Sequence, residues 1–221
     1  MSNNSEAHQN EGVRTLRDAR LLSLLQAARD AGISPVQSTR FHQLVYLCNA
    51  LAPVWDVVPL TKELLKLYGT PYDAGLQDDI DRLVAAGLIR ARDLHYFQTD
   101  QGSWQVGALY ALGPATLTDP ILRMLWAFPD ERESANIARE VCLAVSALPA
   151  EWIDRVLSLD VAYADPRFSP NSVISLLDSD GENGSSRAAQ LFQDVSDKEL
   201  TPSEQAGLYI RHLFRIASRV A

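Results

Sequence analysis

Hydrophobic residues recur at helical spacing through the first half of the chain. The pattern predicts helices over residues 13–32, 38–52, 60–67 and 74–86. Pro53 cannot continue a helix and therefore ends the second one, whereas Asp73 is suited to cap the fourth helix and Gly87 to terminate it. The fourth helix has an apolar face that we expect to pack inward, formed by Leu76, Ile80, Leu83 and Val84.

Two segments of alternating apolar and polar residues follow, over residues 94–98 and 104–112. Asp100-Gln101-Gly102 stands between them, and Asp and Gly favour tight turns. These segments predict a β-hairpin. A winged helix-turn-helix has two helices, a turn, a further helix and a β-hairpin called the wing. The same order is predicted here for the helices over residues 38–52 and 60–67, the turn after them, the helix over 74–86 and the hairpin.

Only helices are predicted beyond Gly113-Pro114, over residues 120–128, 134–148, 150–159, 172–177, 186–195 and 201–220. The expected fold class is therefore mainly α: a winged helix-turn-helix with a β-hairpin wing plus a C-terminal all-helical extension. We predict a disordered polar tail over residues 1–12, the winged domain over 13–112, and the extension over 113–221, docked on the winged domain.

The 221-residue chain has a net charge of −8. This charge argues against nucleic-acid binding by the chain alone, because such binding requires basic residues that neutralise phosphates. No apolar run approaches the ~20 residues that a membrane span requires, and residues 1–12 lack a secretory or transit pattern. We therefore expect a cytoplasmic protein with no membrane partner. Cys48 and Cys142 stand alone in apolar helical patterns, so we interpret both as core residues.

Common catalytic and metal-binding motifs are missing from the sequence. It has neither a P-loop nor a G-x-G-x-x-G pattern, and its four histidines lie in different segments without a second metal ligand at helical spacing. Asp178-x-Asp180-x-Glu182 resembles the start of a calcium loop, but Asn183 stands where that loop needs glycine. We predict no cofactor, no metal and no enzymatic activity, and we interpret His42 as a structural histidine.

The charge on the fourth predicted helix separates DNA recognition from protein docking. Its outer face is predicted to carry Gln77, Asp78, Asp81 and Arg82. In a winged helix-turn-helix this helix is offered to the major groove, where carboxylates would face phosphates. The pattern therefore disfavours DNA recognition by this face, and it favours a protein-docking surface and a merely solvated surface equally.

Five arginines are candidates for contacts with phosphates or with an acidic partner. Arg90 and Arg92 lie at the base of the predicted wing, and Arg211, Arg215 and Arg219 recur every four residues along the last predicted helix. Cations near a helix C-terminus also complement the helix dipole, which accounts for the second set without any partner. The alternative is a docking strip for an acidic partner or a nucleic-acid backbone.

Three motifs within residues 38–112 resemble a bacterial winged-helix family. They are Phe41-His42-Gln43-Leu44-Val45-Tyr46-Leu47, Tyr68-Gly69-Thr70-Pro71-Tyr72-Asp73 and Leu76-x3-Ile80-x2-Leu83-x3-Gly87-Leu88-Ile89. Members of that family have an aromatic-x-Lys-Leu-x-Tyr-Leu helix, a Tyr-Gly-Pro-Tyr-Ser turn and a Leu-x3-Leu-x2-Leu-x3-Gly-Leu-Ile helix. This chain has Gln43 in place of the lysine and Thr70 inserted in the turn. The pattern is shared by Panacea-type antitoxins and by middle components of ABC-three-component antiphage defence systems, the Lamassu type among them.

For the defence components, the resemblance implies a winged-helix subunit that bridges an SMC-like ATPase and an effector, such as a nuclease. We therefore expect a non-enzymatic adaptor in a bacterial defence complex that senses DNA, with weak direct DNA contact by this chain alone. The alternative is a transcriptional regulator or antitoxin that binds DNA as a homodimer, with Arg90, Arg92 and the Arg211 series as phosphate contacts.

Overall fold

The computed structural model describes residues 2–61, 63–67, 70–98, 104–177 and 183–219. Its helices are α1 (Ser2–Asp30), α2 (Ser38–Leu51), α3 (Ala74–Ala85), α4 (Ala115–Leu125), α5 (Pro129–Ser146), α6 (Ile153–Ser158), α7 (Val161–Ala164), α8 (Gly184–Asp194) and α9 (Pro202–Arg219). Its strands are β1 (Val36–Gln37), β2 (Glu63–Leu67), β3 (Thr70–Tyr72), β4 (Ile89–Gln98), β5 (Trp104–Leu112) and β6 (Val173–Ser175). Short 3-10 turns cover Ala52–Trp55 and Ala150–Trp152.

The protein is mainly helical, and its described strands form two small antiparallel sheets. One sheet has the strand order β1-β5-β4, and Val36 of β1 pairs with Tyr110 of β5. The other has the order β3-β2-β6, so its strands come from both halves of the chain. In the first sheet the register shifts between Arg92 and His95, where Asp93 has a φ of 50°. This bulge changes the direction of the hairpin beyond the core.

The second and fourth predicted helices are confirmed as α2 and α3, and the predicted hairpin is confirmed as β4 and β5. Asp73 caps α3 as predicted, because its Oδ1 accepts a hydrogen bond from the backbone N–H of Leu76 at 3.2 Å. Gly87 follows the helix with a φ of 73°, a conformation that favours glycine. The predicted turn at Asp100-Gln101-Gly102 lies outside the described residues.

Two predicted helices are wrong, because the chain is extended there. β2 occupies the segment predicted as a helix over residues 60–67, and β6 occupies the one predicted over 172–177. The two strands pair with each other, and Leu64 stands opposite Ile174 with both side chains buried. Segments this short do not hold a helix by local propensity, so strand pairing and burial decide their structure.

The first helix is longer than the sequence predicts. α1 begins at Ser2, so the tail predicted as disordered over residues 1–12 continues the helix that was expected to start at Val13. Once a helix exists, each added residue forms one more hydrogen bond at little cost, and residues 2–12 contain no proline to stop it. Polar composition alone therefore did not reveal this extension.

One connected apolar core joins residues 13–112 to residues 113–221. Leu25 on α1, Phe41 on α2 and Val141 on α5 are completely buried in it. α1 packs along α5, and α2 packs against both α5 and α8. Within the described part of the chain, every helix falls short of the length and apolar character that crossing a membrane requires.

Candidate functional site

Helix α3 is held rigidly against the body of the protein. Its apolar face is buried as predicted, with Leu76, Ile80 and Leu83 each at most 2% exposed. Its N-terminus is fixed by Asp73, whose Oδ2 also accepts a hydrogen bond from Thr61 Oγ1 at 2.9 Å. The opposite face of α3 is therefore presented to solvent in one defined orientation.

The single cation of α3 is turned toward α1. Arg82 Nη2 pairs with Asp79 Oδ1 at 2.7 Å and with Asp18 Oδ1 on α1 at 2.5 Å. Asp79 is itself buried and also pairs with Arg17 Nε at 2.8 Å. Desolvation lowers the pKa of Arg82, but its hydrogen bonds to Asp79 and Asp18 outweigh this effect and raise the pKa. The guanidinium stays charged, and its charge is satisfied within the chain.

The exposed charge on α3 is negative. Asp78 and Asp81 are both exposed, as the sequence predicts. Gln77 and Arg82, which were predicted on the same outer face, are only half-exposed and bond within the chain. Both residues lie at the edge of the buried stripe, where a long side chain can fold back over neighbouring residues. This explains why they are less exposed than predicted. We call the Asp78 and Asp81 surface the acidic face.

A hydrogen-bonded chain connects the acidic face to the interior. Gln77 Nε2 donates to Asp81 Oδ1 at 2.8 Å, and Gln77 Oε1 lies 3.1 Å from Nε2 of the buried His42. The His42 ring stacks on Tyr72, with centroids 5.2 Å apart. Burial lowers the pKa of His42 even though Gln77 and Asp73 act to raise it. Gln77 therefore links the buried His42 to the exposed Asp81, and the interpretation of His42 as a structural histidine stays a prediction.

Tyr72 lies in the negative field of this face. Its pKa is raised from the ordinary value, first by burial and then by Asp78, Asp81 and Asp73. The half-buried ring is therefore neutral at physiological pH, and it adds an aromatic surface beside two carboxylates. Aromatic rings and carboxylates are both groups that bind cationic side chains.

The β4–β5 hairpin carries the two arginines predicted for the wing, Arg90 and Arg92, in exposed positions. Arg90 Nε donates to the carbonyl oxygen of Leu112 at 3.1 Å, which fixes the start of its side chain, and Arg92 lies beside the exposed Asp93. Further along the same hairpin, Tyr96 is 75% exposed. The β4–β5 hairpin therefore has a mixed surface with a carboxylate beside its arginines.

The Arg211 series lies on a different part of the molecule. Arg211, Arg215 and Arg219 are exposed on α9, which packs against α5, α6 and α8. α3 packs against α1 and β4 instead. The fold thus does not bring the predicted site residues into one site, and it distributes them over α3, the β4–β5 hairpin and α9.

Sequence reasoning missed a buried polar cluster around Asp160. This carboxylate is completely buried and accepts hydrogen bonds from the hydroxyls of Tyr46, Tyr209 and Ser185, and from two backbone N–H groups of α7. The donors come from α2, α9, α8 and α7, so the cluster ties four helices together. Burial, followed by the charge of Asp160, raises the pKa of Tyr46 well above its ordinary value. The sequence indicates that Asp160 could cap a helix, but it does not indicate that side chains from several helices meet there.

No protein-family model, no curated protein and no solved structure matches this chain. Within the described ranges, no three His, Cys, Asp or Glu side chains converge as metal ligands would. The calcium-like segment Asp178-x-Asp180-x-Glu182 lies outside those ranges, and the next residue, Asn183, is buried and caps α8.

Proposed function

We propose that this protein is a non-enzymatic adaptor that docks on larger subunits of a multi-protein bacterial complex through the acidic face of α3. One observation carries the proposal: Asp78 and Asp81 are exposed, while Arg82, the only cation of that helix, is occupied by Asp18 and Asp79. A phosphate backbone gains nothing from such a face, because carboxylates repel it and release no counterions. A basic surface on another protein is the complementary partner.

The segment from α1 to β5 is, in this proposal, a winged helix-turn-helix. Its elements run in the order α1, β1, α2, α3, β4, β5, with the β2–β3 hairpin between α2 and α3, and β1 pairs with β5 beside the wing. The helix after the turn is then α3, which would enter the major groove in a DNA-binding member of the class. Its acidic face supports a use of this scaffold for binding protein instead.

The partners follow from the resemblance in residues 38–112. The adaptor bridges an SMC-like ATPase and an effector subunit, such as a nuclease, in a cytoplasmic antiphage defence complex. Such a subunit requires docking faces on more than one side. The acidic face of α3 and the exposed arginines of α9, which lie on differently packed helices, support that requirement.

Charge reversal tests the proposal. The variant D78R/D81R is expected to lose co-purification with an SMC-like ATPase encoded beside this protein, because it converts the acidic face to a basic one. The control D119R/E133R reverses two carboxylates that are exposed on α4 and α5, and it should co-purify normally.

A gel-shift titration with arbitrary duplex DNA provides the second measurement. The isolated chain should not bind at moderate salt. Strong, salt-sensitive binding that is lost in R90E/R92E would support the DNA-binding regulator instead, and co-purification unchanged by D78R/D81R would remove α3 from the interface.

A further inference from the structure

A second docking surface lies on the side of the molecule formed by α8 and α9, and we propose that it binds an acidic amphipathic helix of a partner protein. The surface combines an apolar strip on α8 with an arginine strip on α9. It is separate from the acidic face of α3, and the two are expected to bind partners of opposite charge.

The apolar strip is formed by Leu191 and Val195 at the end of α8. Their side chains are 60% and 80% exposed. Phe192, between them in the sequence, is half-buried and meets the His212 ring of α9 edge to face, with centroids 5.7 Å apart. Leu191 adjoins Phe192 on α8 and Arg211 adjoins His212 on α9, so this ring contact joins the two neighbouring helices that carry the apolar and the arginine strips.

The arginine strip is formed by Arg211, Arg215 and Arg219. All three are exposed, and among the described residues no acidic side chain forms an ion pair with any of them. The sequence contains no Asp or Glu after Glu204. In a chain with a net charge of −8, this segment is a local reversal of charge, and no ion pair within the described part of the chain neutralises it.

Helix α9 holds the strip in a fixed orientation. Tyr209 is buried and donates to Asp160 at 2.8 Å, and Ile210, Leu213 and Ala217 are buried on the same side. The half-buried Phe214 meets the Trp152 ring edge to face, at 5.8 Å. The three arginines therefore project from a helix that is anchored along its length, which lowers the entropic cost of binding.

Charge complementarity and spacing identify the partner as a helix. Residues four apart on an α-helix rise by about 6 Å, so carboxylates at the same spacing on a second helix match the three arginines one to one. Apolar residues on the adjoining face of that helix would cover Leu191 and Val195. Both features are supplied by an amphipathic helix with an acidic flank.

A nucleic-acid backbone fits less well. DNA carries one charge per about 1.7 Å of its axis and extends beyond any three-arginine strip. Exposed carboxylates stand at Asp194, Asp197, Glu199 and Glu204, from the end of α8 to the first turn of α9, and carboxylates repel a polyanion that extends beyond the three arginines. Phosphates also leave Leu191 and Val195 uncovered. The same carboxylates oppose an anionic membrane.

The test uses the full chain and a labelled helical peptide of about 20 residues, long enough to be partly helical in water. The peptide carries a leucine face flanked by glutamates every four residues, and a matched peptide carries lysines in their place. Fluorescence anisotropy should show binding of the glutamate peptide only, weakening as salt rises. R211E/R215E and L191S/V195S should each weaken binding about tenfold or more, equivalent to about 1.4 kcal/mol.

Controls separate this surface from other surfaces and from nonspecific attraction. R123E/R132E reverses two arginines exposed on α4 and α5 and should leave binding unchanged. Circular dichroism checks that every variant is folded. The proposal is overturned if neither peptide binds, or if the control variant R123E/R132E weakens binding as much as R211E/R215E. It is also overturned if duplex DNA or phosphatidylserine vesicles bind the chain through Arg211 and Arg215 more tightly than the peptide does.

Discussion

Arg20 on α1 and Glu131 on α5 form a two-point ion pair that joins the two halves of the chain. Arg20 Nε and Nη2 donate to the two carboxylate oxygens of Glu131, each at 2.6 Å. Only 16% and 7% of the two side chains is exposed. Arg20 Nη1 also donates to the carbonyl oxygen of Val58 at 3.1 Å, so one arginine connects three segments.

Removing one partner of this pair should destabilise the protein. R20A leaves the Glu131 carboxylate largely buried without its cation, and we expect the free energy of unfolding to fall by about 3 kcal/mol. R20M/E131L removes both charges and should stay within about 1 kcal/mol of the wild type, since apolar residues of similar size often replace such pairs well. Urea unfolding measures both values, and equal losses in the two variants would contradict the explanation.

Stability should depend on pH through His42. Burial lowers the pKa of His42 below its ordinary value of 6.5, so the unfolded chain binds a proton more readily than the folded chain. The stabilisation is fully present above pH 6.5 and is lost as the pH falls from 6.5 toward the folded pKa. Protonation would also add an N–H at Nδ1, a buried atom with no hydrogen-bond partner among the described residues.

H42F keeps an aromatic ring against Tyr72 and removes the titration. The wild type should therefore lose more stability than H42F on going from about pH 7.5 to about pH 5.5, the range over which an unperturbed histidine titrates. Urea unfolding at both values provides the comparison. Identical losses in the two proteins would show that His42 does not contribute to the pH dependence.

Replacing Gly113 by alanine should destabilise the protein more than replacing Gly107 by alanine. A Cβ on Gly113 would lie 2.5 Å from the carbonyl oxygen of Gly87 and 2.7 Å from that of Leu88. Those atoms are backbone, and Gly113 N donates to the Leu88 oxygen at 2.8 Å, so relief requires moving the chain between α3 and β4. We expect G113A to cost about 3 kcal/mol, the upper end for overpacking.

G107A is the matched comparison. A Cβ there would lie 2.5 Å from Nε2 of His95, but this ring is exposed and can rotate away. G107A should therefore cost less than about 1 kcal/mol, and H95A/G107A should remove most of what remains. Thermal denaturation of the three variants tests the difference. A cost for G107A equal to that of G113A would show that the His95 ring is held as firmly as the backbone.

The local sequence pattern was enough to predict the helices and strands whose apolar and polar residues alternate regularly. α2 and α3 each carry a long apolar stripe, Asp73 and Gly87 mark the two ends of α3, and the hairpin has two alternating segments. The exposure of Asp78 and Asp81 followed from the same stripe, because residues opposite a buried face must meet solvent. Each of these inferences uses neighbours within one or two helical turns.

Distant contacts decided the rest. β2 is extended because it pairs with the neighbouring β3 on one side and, on the other, with β6 from the other half of the chain. No local signal records the pairing with β6. Arg82 turns inward because Asp18, 64 residues away, lies within its reach. The residues that donate hydrogen bonds to Asp160 lie up to 114 residues from it in the sequence. Sequence alone determined charge balance and helical faces, which depend on local periodicity. The tertiary structure decided which charges are neutralised and which strands form, because both depend on burial beside residues that the chain brings together only when it folds.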